Sequence, residues 1–316
     1  MALATNWSYS VQFITKVRER CRALSKNVVT IGLAGSFGRL EASPTSDADY
    51  IMIVRDKDTT HTEADNALLN EAIQDLGAKP PNAKGVFYNP EISDTLADIG
   101  ATDEKNPVLA KRLLLLLESR PIFNDDNFDE LIDSIFDKYT THLTSDAAKE
   151  FTFLLNDLIR YFRFICVSYQ ENFWRDDDTW ALRNLKLRHS RLMMYAGLLM
   201  MLGEASKRSG KDKMKVVRER LHLTPLERLA WVYQQNEDDG LARLLGLYNV
   251  FVARLSDQSW RTRIKGISNQ DYDKRYDVAE FGEVKANSDA LQAELTRFVL
   301  SRKGFWSNRF FEYLLF

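Results

Sequence analysis

Apolar positions along the chain change their period about a third of the way in. Residues 9–26 carry Val11, Ile14, Val17, Cys21 and Leu24 near helical spacing with charges between them, which predicts an amphipathic helix. Residues 28–34, VVTIGLA, are short, β-branched and apolar and predict a buried strand. A polar stretch follows, and then DADYIMIV at 47–54, apolar on both faces beyond its acidic start, as a strand covered on both sides must be. Helical spacing returns over 62–77, and GVFYN at 85–89 is a candidate third strand. Residues 107–119 and 128–139 predict two more helices. From 146 onward the spacing is helical almost throughout, with helices expected over 147–171, 178–203, 212–220, 225–235, 240–257 and 286–301. The breaks fall at 203–213, GEASKRSGKDK, and at 264–285.

This order predicts an α+β protein: an N-terminal domain over 1–140, with a small mixed sheet flanked by helices, then an all-α domain over 141–316. A chain of 316 residues has room for both. Hydrophobic residues at 45% and charged residues at 28% are the composition of a folded, water-soluble protein. The formal net charge of −2 gives no global attraction to nucleic acid or to anionic membranes, so any polyanion contact must be local. Two cysteines, Cys21 and Cys166, make neither a disulfide framework nor a zinc site, and a reducing compartment fits them. The N-terminus lacks the basic start and apolar core of a signal peptide, and the apolar runs 113–117 and 192–202 fall short of the ~20 residues a membrane span requires. The expectation is a cytoplasmic protein without a membrane partner.

The candidate chemistry lies in GSFGRLEASPTSDADYIMI, residues 35–53. On a strand, positions i and i+2 project to one face, so Asp47 and Asp49 are expected to leave the sheet edge together. Adjacent carboxylates repel unless a divalent cation lies between them. Mg²⁺, or Mn²⁺, accepts a few carboxylates and completes its shell with phosphate oxygens, so the pair suits a metal–nucleotide complex. Gly35 lets backbone N–H groups approach a phosphate, the Ser36 hydroxyl can donate to one, and Arg39 supplies a charged donor. Sites of this type commonly use a third carboxylate; Glu91 and Asp94 follow the third candidate strand, and Glu91 is the closer of the two. A Walker A loop is disfavoured because no Gly-Lys-Ser/Thr follows, and Gly32, Gly35 and Gly38 do not give G-x-G-x-x-G.

At these residues the chain resembles the DNA polymerase β-like nucleotidyltransferase superfamily, whose pattern is Gly-Ser, about ten residues, then Asp-x-Asp flanked by apolar residues. Gly35, Ser36, Asp47 and Asp49 match it. The longer string is similar to the branch containing PII uridylyltransferase and glutamine synthetase adenylyltransferase, with Gly35, Gly38, Arg39, Glu41, Ser46, Asp47 and Asp49 fitting its form. The segment 113–125, LLLLLESRPIFND, is similar to the helix that closes the transferase domain there. Segments 156–164 and 180–197 look like the helical half of stand-alone bacterial relatives. The resemblance implies Mg²⁺, an NTP donor, catalysis by Asp47 and Asp49, and nucleotide contacts from Gly35, Ser36, Gly38, Arg39 and Ser46. The acceptor is not implied, and a protein, an RNA or a small molecule all stay open.

In the helical half, Asn156, Arg160 and Arg163 share one helix face, and Asn184, Arg188, Arg191 and Tyr195 another, widened by Arg183 and Lys186. Arg160, Arg163 and Lys186 are candidates to meet the nucleotide; a solvated face with ion pairs is the alternative. Arg183-Asn184-x₄-His189 resembles the motif of HEPN ribonucleases, with His189 as the base. A third functional alternative is a non-catalytic nucleotide-binding regulator or antitoxin-like module. The aromatic C-terminus, Phe305 to Phe316, predicts either packing onto the helical domain or a contact with a partner or a second copy.

Overall fold

The protein is described here by a computed structural model covering residues 1–57, 59–82, 85–99, 106–140, 151–175, 179–208 and 210–315. It is an α+β protein with one small mixed sheet and a predominance of helix. The chain forms two compact units. One comprises Ala4–Asp157 with Ser209–Thr224; the other comprises Met1–Leu3, Leu158–Arg208 and Pro225–Phe316. The boundary expected between 140 and 141 lies at the edge of residues outside the description.

The sheet unit begins with α1 (Ala2–Cys21), whose Phe13, Ile14, Val17 and Cys21 are buried at the predicted spacing. Next come β1 (Val28–Leu33), a single helical turn α2 (Gly35–Gly38), β2 (Tyr50–Val54) and α3 (Thr59–Asp75). Then follow β3 (Glu91–Ile92), α4 (Ser93–Ala97), α5 (Asn106–Glu118), β4 (Arg120–Phe123) and α6 (Asp125–Thr140). The sheet order is β3-β2-β1-β4; β1 runs antiparallel to both β2 and β4, and β2 runs parallel to β3. Every residue of β2 is buried, as expected of a strand with cover on both faces.

Two expectations for this unit are corrected. Residues 85–89 form turns, and the third strand is the adjacent Glu91–Ile92. The apolar run of α5 ends at Glu118, and the following RPIF is a strand instead of more helix. Pro121 within it opposes Gly32 on an edge strand, where a missing N–H donor costs no inner ladder bond.

The helical unit contains most of α7 (Thr152–Trp174), then α8 (Trp180–Lys186), a π-helical turn at Leu187–Arg191 and α9 (Leu192–Ala205). The single helix expected over 178–203 is thus interrupted in its middle. α9 buries nearly every side chain, which accounts for its unbroken apolar sequence. α10 (Gly210–Arg218) belongs to the sheet unit, where Arg218 bridges Asp133 and Asp137 of α6 at 2.6 and 2.5 Å. The helical unit resumes with α11 (Pro225–Gln235), α12 (Gly240–Ser256), α13 (Gln258–Lys265), a 3₁₀ segment at Tyr272–Asp277, α14 (Ala279–Ser301) and α15 (Asn308–Leu315). The break expected at 264–285 is shorter than the sequence suggested, because α14 starts seven residues earlier than its apolar spacing marks.

The aromatic C-terminus divides. Trp306 and Phe310 are buried, and the Trp306 indole N–H donates to the buried Glu204 carboxylate at 3.1 Å. Phe305 and Leu315 stay exposed. Among the described residues no helix is long and apolar enough to cross a membrane.

Candidate functional site

The turn after β1 and the start of β2 are joined by the sheet itself. Leu33 opposes Tyr50, and the Ala34 N–H donates to the Asp49 carbonyl at 2.9 Å, carrying the ladder one step past the strands. Asp47 is held by a short parallel bridge to Lys79, with the Ala48 N–H donating to the Lys79 carbonyl at 2.7 Å. Over these residues burial alternates. Ala48 and Tyr50 point into the core, while Asp47 is exposed and Asp49 half-exposed. The strand expected from residue 47 begins only at Tyr50, so Asp47 and Asp49 precede it, both less buried than their neighbours Ala48 and Tyr50.

Gly35 lies against Asp49. Its φ is +64°, a conformation costly for other residues, and a Cβ placed on it would sit 3.4 Å from an Asp49 carboxylate oxygen. Ser36 follows, half-buried, at the start of the one-turn helix. The structure thus brings Gly35, Ser36, Asp47 and Asp49 together at one end of the β1–β2 ladder.

The other predicted phosphate ligands of this loop have structural partners. Arg39 is buried; its Nε donates to Glu41 at 2.8 Å and its Nη1 to Glu118 at 2.5 Å. The second oxygen of Glu118 accepts the Gly35 N–H at 3.0 Å. Arg39 thus anchors the turn to the end of α5. Gly38 is packed against the Glu118 and Leu33 carbonyls so closely that any side chain would collide with backbone. Ser46 accepts the Ser43 N–H at 3.0 Å and closes a turn ahead of Asp47.

Glu91 is not brought to the aspartate pair. In the parallel β2–β3 register it opposes Ile53, four positions beyond Asp49, or about 13 Å along a strand. It is buried and accepts from Lys57 and Lys111, each at 2.8 Å. Burial pushes the Glu91 carboxyl up, but the two ammonium groups outweigh it and hold the pKa below the ordinary value. Asp94 lies in the first turn of α4. Among the described residues no cluster of three or more acidic, histidine or cysteine side chains is placed to hold a metal ion. What the pair offers is two carboxylates on an open face, a donor set that fits Mg²⁺ whose remaining ligands are water and phosphate oxygens.

The remaining candidates lie in the helical unit, except Asn156, which falls just inside the sheet unit. Asn156, Arg160 and Arg163 are all exposed along α7, as a shared face demands. Lys186 is half-buried at the end of α8. Arg188 donates to Ser288 at 2.9 Å and pairs with Asp289, so α14 occupies it. His189 is fully buried in the π turn, stacked on Phe251 with ring centroids 4.0 Å apart. Its Nδ1 meets the Leu185 carbonyl at 2.8 Å and its Nε2 the Asn287 side-chain amide at 3.0 Å. Burial lowers its pKa, only partly opposed by those two contacts. Both ring nitrogens are engaged inside the core, so His189 has the setting of a packing residue and offers no nitrogen to a ribose hydroxyl.

Sequence reasoning passed over Lys57, Thr62, Asn66 and Lys111, which line a cavity of about 690 Å³ beside β3. One signal was available: Lys111 and Arg112 interrupt an otherwise apolar helical run, and both are buried. No family model matches this chain, and no curated protein matches it.

Proposed function

We propose that the protein is a metal-dependent nucleotidyltransferase of the polymerase-β-like type, with its transferase site in the sheet unit. The observation that carries the reading is that exposed Asp47 and half-exposed Asp49 stand two residues apart just ahead of β2, with Asp49 against the Gly35 turn. Asp47 and Asp49 would hold Mg²⁺ (or Mn²⁺) with the NTP, and Ser36 would donate to a phosphate oxygen. When bound there, the ion would supply charge stabilisation at the transferring phosphorus and on the leaving group. An acceptor hydroxyl oxygen bonds to the α-phosphorus and gives up its proton to solvent, the bridge to the β-phosphate breaks, and pyrophosphate departs with the bonding pair. Arg39, Glu41 and Glu118 act as positioning residues that fix the turn. The acceptor is a protein side chain, an RNA end or a small molecule. The test is incubation with each α-³²P-NTP, Mg²⁺ and cell lysate, scoring auto-modification as well. Labelling that vanishes in Asp47→Asn/Asp49→Asn supports the reading; undiminished labelling in that double variant overturns it.

The lack of a third acidic group beside the pair among the described residues favours one second reading, a nucleotide-binding module without turnover. Calorimetry showing Mg²⁺-dependent NTP binding, with no pyrophosphate released across a broad acceptor panel, would select it.

A further inference from the structure

The helical unit holds a cavity between α7 and α8, and every residue that lines it belongs to that unit. Cys166, Gln170 and Phe173 line it from α7 at i, i+4 and i+7. Trp180 and Asn184 of α8 and Leu187 of the π turn line it from the other side at the same spacing. Two facing helical stripes thus leave a gap between them. Tyr272 of the 3₁₀ segment lies beside it, its ring centroid 5.3 Å from that of Phe173 and 5.6 Å from that of Trp180. The volume, about 330 Å³, is at the small end of ligand pockets and suits a single ring system.

No described residue that lines the cavity is an acid, a lysine, an arginine or a histidine, so a charged ligand would enter without a counter-charge. The polar capacity of the lining lies chiefly in the carboxamides of Gln170 and Asn184, which approach it from opposite helices. Among the described residues neither has a side-chain hydrogen-bond partner. Gln170 is exposed, and Asn184, half-buried, keeps both polar atoms of its amide open. Each carboxamide presents an acceptor oxygen and donor N–H groups side by side. That edge matches the adjacent donor and acceptor of a nucleobase, as in the bidentate pairing of Asn or Gln with adenine. The aromatic lining supplies the flat surface on which a base of any sequence can stack.

We propose that this cavity binds an uncharged nucleobase, its hydrogen-bonding edge held by Asn184 and Gln170 and its ring set against Tyr169 and Tyr272. Calorimetric titration of the full chain with adenine, adenosine and cytosine tests it. Indole serves as a flat ring without the paired edge, and tetramethylammonium as a cation that aromatic rings attract. Saturable binding of at least one base or nucleoside is expected, with indole weaker and tetramethylammonium silent; adenine against adenosine tells a free base from a nucleoside. Asn184→Leu and Gln170→Leu keep the approximate shape and remove carboxamides that no described residue engages. Each should weaken binding about tenfold or more while unfolding no earlier. Bound base should also shield Cys166, which lines the cavity, from a maleimide, Cys21 being fully buried. Asp47→Asn/Asp49→Asn should bind the base as wild type does, so failure here and failure of the transferase reading are told apart. Absence of saturable binding by all three, indole or tetramethylammonium binding as tightly, wild-type affinity in both leucine variants, or an unshielded Cys166 at saturation overturns the proposal.

Discussion

Replacing Arg39 separates an arginine that binds phosphate from one that holds the fold. Arg39, Glu41 and Glu118 form a buried triad in which the guanidinium reaches both carboxylates and Glu118 also accepts the Gly35 N–H. In Arg39→Met two carboxylates stay buried near one another without their cation. Breaking a buried pair from one side costs about 3–5 kcal/mol. Domains of this size have roughly 5–15 kcal/mol of total stability, so the loss would bring the sheet unit close to unfolding. Arg39→Lys retains charge but cannot serve both carboxylates through a planar fork, and a loss of roughly 1–3 kcal/mol is expected. Glu118→Gln retains an oxygen for the Gly35 N–H and should fall in the same lower range. Urea unfolding followed by far-ultraviolet circular dichroism, with NTP affinity measured in parallel, gives both quantities. If Arg39→Met unfolds within about 1 kcal/mol of wild type yet loses NTP binding, the triad is not structural and the sequence reading of Arg39 as a phosphate ligand stands.

Three further outcomes are expected. Asp47→Asn should unfold at the wild-type urea concentration, because its side chain is exposed; a large drop in midpoint would mean that Asp47 serves the fold instead. Burial holds His189 below its ordinary pKa of 6.5, so the unfolded chain takes up a proton first as pH falls below that value. Stability should decline from there downward, by up to about 1.4 kcal/mol per pH unit from this group, and His189→Phe should show a shallower decline between pH 7.5 and 5.5; parallel slopes would refute it. A Cβ on Gly203 would stand 2.5 Å from the buried Trp306 ring, so Gly203→Ala should cost about 1–3 kcal/mol by overpacking, read as an earlier thermal transition, and an unchanged transition would show that the C-terminal segment is loosely held.

The sequence by itself determined what depends on short-range periodicity. Helices such as Pro225–Gln235 and the all-buried strand Tyr50–Val54 follow from spacings of 3.6 and 2 that a few residues suffice to reveal. Tertiary structure decided whatever depends on partners distant in sequence. Arg39 reads as a ligand until Glu118, seventy-nine residues away, is seen to hold it. Glu91 reads as a catalytic acid until parallel pairing sets it opposite Ile53 and Lys111 reaches it from α5. RPIF is too short, and too burdened by proline, to declare itself a strand without the β1 edge beside it. A charged side chain has the same local pattern whether it meets solvent, substrate or a buried counter-ion, and only the packed chain specifies which of these it meets.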